Sequence, residues 1–215
     1  MDDLRRLLAL RPTHVSWYQL TIEPNTAFHA RPPVLPDDDT LWEMHEQGQG
    51  PLETAGFQQY EVSAWAAPGH ECRHNINYWE FGDYLGIGAG AHGKLTDPDS
   101  GKVIRYARHR LPERYMQMAG TAGAVVRRQE LTAPDLVIEF MLNACRLTRG
   151  FPFSLFAGRT GLAPEALAPG LARARSLGLL EYNEESAQPT EFGRRHLNDL
   201  LQLFLPEETG LRASA

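Results

Sequence analysis

Pro68 to Lys94 reads PGHECRHNINYWEFGDYLGIGAGAHGK. The run places metal-capable side chains at its start, aromatics in its middle and glycines at its end. If Gly69 to His74 is extended, His70, Cys72 and His74 share one face, because strand side chains alternate. That pattern suits a soft metal ion. Histidine also ligates haem iron, and Tyr78 and Trp79 offer ring faces to a flat macrocycle. The same short spacing equally describes a loop whose histidines bond to backbone and whose aromatics fill a core. Gly86 to Gly93 (GIGAGAHG), which contains Gly86, Gly88, Gly90 and His92, lets backbone approach a flat ligand closely, or forms a tight strand-to-loop corner. It is not a GxGxxG dinucleotide fingerprint: the third glycine is misplaced and no long helix clearly follows.

Upstream, His14 to Ile22 (HVSWYQLTI) is rich in β-branched and aromatic residues and predicts a strand. Before it, Asp2 to Leu10 predicts a short amphipathic helix with Leu4, Leu7 and Leu8 on one side, stopped by Pro12. Helix, stop and strand fit the end of one βα unit and the start of the next, as if the chain begins inside a fold. Glu23 and Asn25 follow the strand closely, where βα folds place functional side chains; they also suit a plain turn. After a proline-broken loop, Asp37 to Asp39 supply the cap and first turn of a helix to about Ala55. Leu41, Met44 and Leu52 would face inward, and Pro51 predicts a kink or break. Gln58 to Ala66 predicts a second strand, Pro68 to Arg73 a turn, Val103 to His109 an edge strand, and Arg114 to Gly123 a weak helix.

Composition changes after about Arg128. Pro134 to Thr148, Phe151 to Gly161 and Pro164 to Leu177 predict helices. Leu179 to Tyr182 and Ala187 to Thr190 predict a hairpin turning at Asn183 to Ser186, and Glu191 to Leu205 a last helix. Three helices, a hairpin and a helix form a winged-helix-like order, which raises nucleic-acid binding. From Gln129 to Leu205 there are seven arginines, no lysine and nine acidic residues. Arg173 and Arg175 on the third helix lack a basic stripe around them, so packing or partner docking outweighs DNA recognition.

The whole chain has 215 residues, a net charge of −6, 42% hydrophobic and 22% charged residues. These values describe a globular protein and argue against general binding to a phosphate backbone. No apolar run approaches the roughly 20 residues that span a bilayer, and the charged start MDDLRRLLALRP is unlike a signal peptide. Cys72 and Cys145 are the two cysteines. They stand far apart, and a four-iron cluster needs clustered thiolates.

HVSWYQLTIEPNT, RPPVLPDDD, QQYEVSAWA and the Pro68–Lys94 run, in that order, resemble the HemW-type haem chaperones, relatives of oxygen-independent coproporphyrinogen III oxidase. The likeness is dense from His14 to Lys94 and looser through the C-terminal helices. It includes the family's HNxxYW pattern, met here as His74, Asn75, Tyr78 and Trp79, which in that family accompanies haem binding. The resemblance implies an α/β fold class. The last strands of a partial TIM-like radical SAM barrel, with extension strands, would occupy residues 1–127. A mainly α, winged-helix-like domain would occupy residues 128–215. It implies haem binding and delivery to haem-accepting proteins in the cytoplasm, with His74 as ligand to the haem iron and a homodimer as an assembly to test. Family chemistry uses a [4Fe–4S] cluster on CxxxCxxC and S-adenosylmethionine. Because that cysteine motif is absent here, the expectation is a C-terminal portion inactive in S-adenosylmethionine cleavage. Oxygen-independent coproporphyrinogen III oxidation is the related alternative. A winged-helix interaction or nucleic-acid module is the alternative of another class.

Overall fold

A computed structural model describes residues 2–206. These residues fold as two compact units that meet in the sequence between Arg73 and His74. The composition change near residue 128 falls inside the second.

In the first unit, α1 (Asp2–Ala9), β1 (His14–Ser16), α2 (Ala27–Ala30), α3 (Asp38–Thr54), β2 (Gln58–Glu61) and β3 (Ala64–Ala66) follow in order. The strands form an antiparallel sheet in the order β1-β3-β2. Leu4, Val15, Leu52, Phe57 and Trp65 make its core. The Asp37 carboxylate caps α3 by accepting from the Thr40 amide at 2.8 Å, and that bond holds its carboxyl below the usual range.

Several sequence expectations change here. The strand predicted over His14 to Ile22 stops at Ser16. Trp17 then packs on α3, where a side chain at Gly48 would meet its ring at 1.8 Å, and the segment after it is exposed and pairs with no strand among the described residues. The predicted strand Gln58 to Ala66 is a hairpin, β2 and β3, turning at Val62 and Ser63. Of the kink or break predicted at Pro51, the break does not occur: Pro51 sits inside α3 without ending it. Leu52, fully buried, fastens the last turn to the core, and that burial offsets the roughly 3 kcal/mol cost of an internal proline. Of the residues expected to face inward, Leu52 does so, while Met44 is half exposed.

The second unit opens with α4 (Arg73–Trp79), followed by β4 (His92–Thr96), β5 (Val103–Arg108), α5 (Pro112–Met118) and β6 (Val125–Glu130). The sheet order is β4-β5-β6, so β5 is the central strand, not an edge. Val103 and Tyr106 are buried there. Next come α6 (Ala133–Ala144), β7 (Phe151–Pro152), α7 (Phe153–Thr160), α8 (Ala168–Ser176), β8 (Leu180–Tyr182), β9 (Ser186–Pro189), α9 (Glu191–Arg195) and α10 (Leu197–Gln202). The predicted last helix is therefore two, parted at His196. Beyond that break Leu200 and Phe204 reach the core. β7 joins the hairpin in a sheet ordered β7-β9-β8, completing the winged-helix order.

α6 starts where the sequence allows it. Thr132 and Asp135 form a reciprocal capping box, with a proline in the first turn. Gly161 ends α7 at φ 70°, a left-handed position that suits glycine. Phe140 on α6 is the hub of the core, with the rings of Phe81, Phe151 and Phe156 edge-on to it at 5.9, 5.1 and 5.0 Å. Phe81 lies just beyond α4, so the core of the helical module also anchors that helix.

Candidate functional site

The HNINYW segment is helical. Residues 67–72 are turn and loop, and Arg73 begins α4. The alternation that would align His70, Cys72 and His74 does not apply. Among the described residues no three His, Cys, Asp or Glu side chains are grouped to hold a metal ion. The soft-metal triad is thus overturned by the local helix. Helical spacing instead puts His74 over Tyr78, and Asn75 over Trp79, one turn apart. The His74 and Tyr78 rings are 5.2 Å apart, and His74 is exposed.

The end of α4 is closely specified. The Gly82 amide donates to the Asn77 carbonyl at 2.7 Å, and Phe81 has φ 55°. A six-to-one bond around a left-handed residue is a Schellman-type stop. Phe81 accepts this conformation because its side chain is wholly buried in the core. A Cβ at Gly82 would meet the Asn77 side chain at 2.1 Å, so the close turn requires glycine. The buried Lys94 ammonium donates to the Phe81 carbonyl at 2.8 Å and lies 3.3 Å from the Asp83 carboxylate. Burial pulls the Lys94 pKa below its ordinary value, and Asp83 pulls it partly back. A cation at a helix C-terminus also suits the helix dipole.

The face that carries Tyr78 is backed by a chain of contacts. Tyr84 stacks on Tyr78 at 4.2 Å. The Tyr84 hydroxyl accepts from Arg105 Nη1 on β5, and Arg105 Nε donates to Glu139 Oε2 on α6 at 2.8 Å. Burial first, and then a hydrogen bond shared with Tyr84, pushes Tyr78 up to about 12. Its phenol therefore stays protonated near neutral pH and is not offered as a phenolate ligand. The Arg146 guanidinium lies over the Trp79 ring at 4.3 Å, and the Trp79 indole N–H is buried without an acceptor among the described residues.

The glycine loop is engaged by its own fold. The Gly86 amide donates to the Tyr106 hydroxyl at 2.8 Å, the Gly88 amide to the Tyr115 hydroxyl at 3.1 Å, and the Gly90 amide to the His109 carbonyl at 2.6 Å. A Cβ at Gly86 would strike the His92 carbonyl at 2.2 Å. These glycines admit close backbone packing at a corner; His92 itself is exposed at the start of β4.

Glu23 and Asn25 belong to the turn before α2, where Thr26 Oγ1 donates to the Glu23 carbonyl at 2.7 Å and Asn25 has φ 63°. Arg175 on α8 donates to the Tyr182 carbonyl and covers that ring at 4.1 Å, so it packs on its own wing. Tyr84, Lys94, Asp83, Arg105 and Glu139 were not singled out by the sequence. Lys94 in HGKLT carries no apolar pattern that marks it as buried, and the Arg105–Glu139 pairing depends on the sheet register, so neither left a local signal.

Residues 131–196 match the HemN C-terminal domain family. Over 96% of its length the chain is 49% identical to "Heme chaperone HemW" of Escherichia coli (strain K12), covering 53% of that protein. It is 46% identical, over 97% of its length, to the protein of the same description from Haemophilus influenzae, again covering 53%. The chain thus spans about half the length of these curated relatives. Among solved structures it is similar to the Escherichia coli coproporphyrinogen III oxidase HemN, a radical SAM enzyme. The TM-score is 0.68 at 19% identity, over 94% of this chain and 50% of that one. That likeness carries the fold alone: the α/β part and the helical C-terminal part of this chain together resemble about half of that structure. Over nearly its whole length the chain is thus similar to about half the length of proteins described as haem chaperones, and residues 131–196 match the HemN C-terminal domain.

Proposed function

We propose that this chain binds haem at α4, with His74 as the iron ligand and Asn75, Tyr78 and Trp79 completing the site. In the whole protein that haem would be cargo, delivered to haem-accepting proteins in the cytoplasm. The observation that carries the reading is His74, exposed one helical turn from Tyr78 at a ring separation of 5.2 Å. An imidazole beside an aromatic face suits iron ligation and macrocycle contact together. The high Tyr78 pKa leaves the imidazole as the better donor of the two. The names of the relatives, haem chaperones at 46–49% identity, support the same ligand. No helix among the described residues is long and apolar enough to cross a membrane.

The residues here do not fit a four-iron cluster. Cys145 lies fully buried in the core, where burial pushes its thiol far up, and Cys72 is the other cysteine. The described side chains therefore offer no cluster on which S-adenosylmethionine could be cleaved. Residues 131–196 fall within the proposed second domain, 128–215. Titrating the apo chain with haem, followed at the Soret band, tests the proposal. Saturation at one haem per chain is expected, and a purely non-specific, unsaturable rise contradicts it.

A further inference from the structure

The side chains behind α4 form a continuous line from the helical module to the haem motif. Glu139 stands on α6, inside the segment that matches the HemN C-terminal domain. Its Oε2 accepts from Arg105 Nε at 2.8 Å and from Nη2 at 2.5 Å. The side chains of Arg105 and Glu139 are 28% and 23% exposed, so the pair is well shielded. The remaining arm of the guanidinium, Nη1, donates to the Tyr84 hydroxyl. Tyr84 lies nearly parallel to Tyr78, 26° apart at 4.2 Å, and Tyr78 lies against His74. Two independent ties run the same way: Arg149 donates to Glu80 at 2.5 Å, and Arg146 covers Trp79.

Resting on the haem reading of α4, we propose that Arg105 and Glu139 are positioning residues for the haem site. The pair grips Tyr84, which holds the Tyr78 ring, and so fixes the face on which His74 and Tyr78 meet haem. Neither residue touches the ligand. Arginine is required because its planar fork serves two partners at once, one edge on Glu139 and one arm on Tyr84. A lysine is a point charge with no second fixed direction. The C-terminal module thereby contributes to haem binding without supplying a ligand to the iron.

The test uses the full chain and the variants Arg105→Lys, Glu139→Gln, Tyr84→Phe and the double variant Tyr84→Phe/Glu139→Gln. Near-ultraviolet circular dichroism of the apo protein, set against Tyr78→Phe, reads the Tyr78–Tyr84 stack without haem. Soret titration then reads affinity and spectrum. Each single variant should weaken the stack signal, shift the Soret spectrum and lower haem affinity roughly tenfold, about one charge-assisted hydrogen bond of ordering. The double variant should bind no more weakly than the worse single one, because both changes cut the same line. Additive losses in the double variant, or full affinity and spectrum in Arg105→Lys and Glu139→Gln, overturn the proposal. So does a lost stack signal with haem affinity kept. If His74→Ala keeps that affinity as well, the haem reading of α4 has failed, a result the apo stack signal does not depend on.

Discussion

Lys94 fastens the end of the motif helix: its ammonium donates to the Phe81 carbonyl at 2.8 Å and rests 3.9 Å from the centre of the Phe81 ring. Lys94→Met keeps the volume and removes the donor. The Phe81 carbonyl and the Asp83 carboxylate then lose their cation, at a cost of about 2–3 kcal/mol. Urea unfolding should show a lower midpoint with an unchanged slope. An unchanged midpoint would mean that Lys94 does not hold the turn.

Asp83 gives this lock an acid limit. Burial raises its pKa, but the Thr96 amide and hydroxyl, together with Lys94, lower it further than burial raises it. The folded pKa thus lies below the unfolded value of about 3.9. The stabilisation is full above that unfolded value and is lost as pH falls through the folded one. Wild type should exceed Asp83→Asn in urea midpoint at pH 7, and the gap should narrow towards about pH 3. A gap that stays constant over that range would rule out an ionised Asp83 as the cause.

The two kinds of glycine in the loop make contrasting predictions. A Cβ at Gly93 would meet the Tyr106 ring at 2.1 Å, and that ring is buried with its hydroxyl already taken by Gly86. Gly93→Ala should cost about 1–3 kcal/mol through overpacking. Gly88 has open space around its Cβ position but φ 110°, which is nearly reserved for glycine, so Gly88→Ala should cost backbone strain alone, about 1–3 kcal/mol, without displacing Tyr106. Gly93→Ala should disturb the tyrosine near-ultraviolet signal and Gly88→Ala should not; equal disturbance in the two variants would refute the packing distinction.

Much of the wing module was legible in the sequence because its signals are local. Pro134 at the start of α6, the hairpin turn at Asn183 to Ser186 and Gly161 each declare a boundary within a few residues. α4 was legible as a chemical cluster but not as a helix. None of its residues is fully buried, so it has no apolar period to read. The backing of the site was hidden for another reason. Arg105 and Glu139 are 34 residues apart, and Asp83 and Lys94 are 11 apart. Only strand register and the shared core around Phe140 bring such pairs together. Pro51 does not break α3, because there the local rule yields to the burial of Leu52.

Iron–sulfur chemistry gives a further check. Anaerobic reconstitution of the chain with iron and sulfide should leave well under one four-iron cluster per chain, since Cys145 is sealed in the core and Cys72 alone is accessible. Stoichiometric iron and sulfide, with a cluster spectrum, would contradict this.

The most direct test of haem binding at α4 is a Soret titration of the chain beside its His74→Ala variant. With His74 as ligand, the variant should show a shifted Soret band and lose at least about tenfold in affinity, roughly 1.4 kcal/mol. An identical spectrum and affinity in the two proteins would place the iron elsewhere and contradict the assignment.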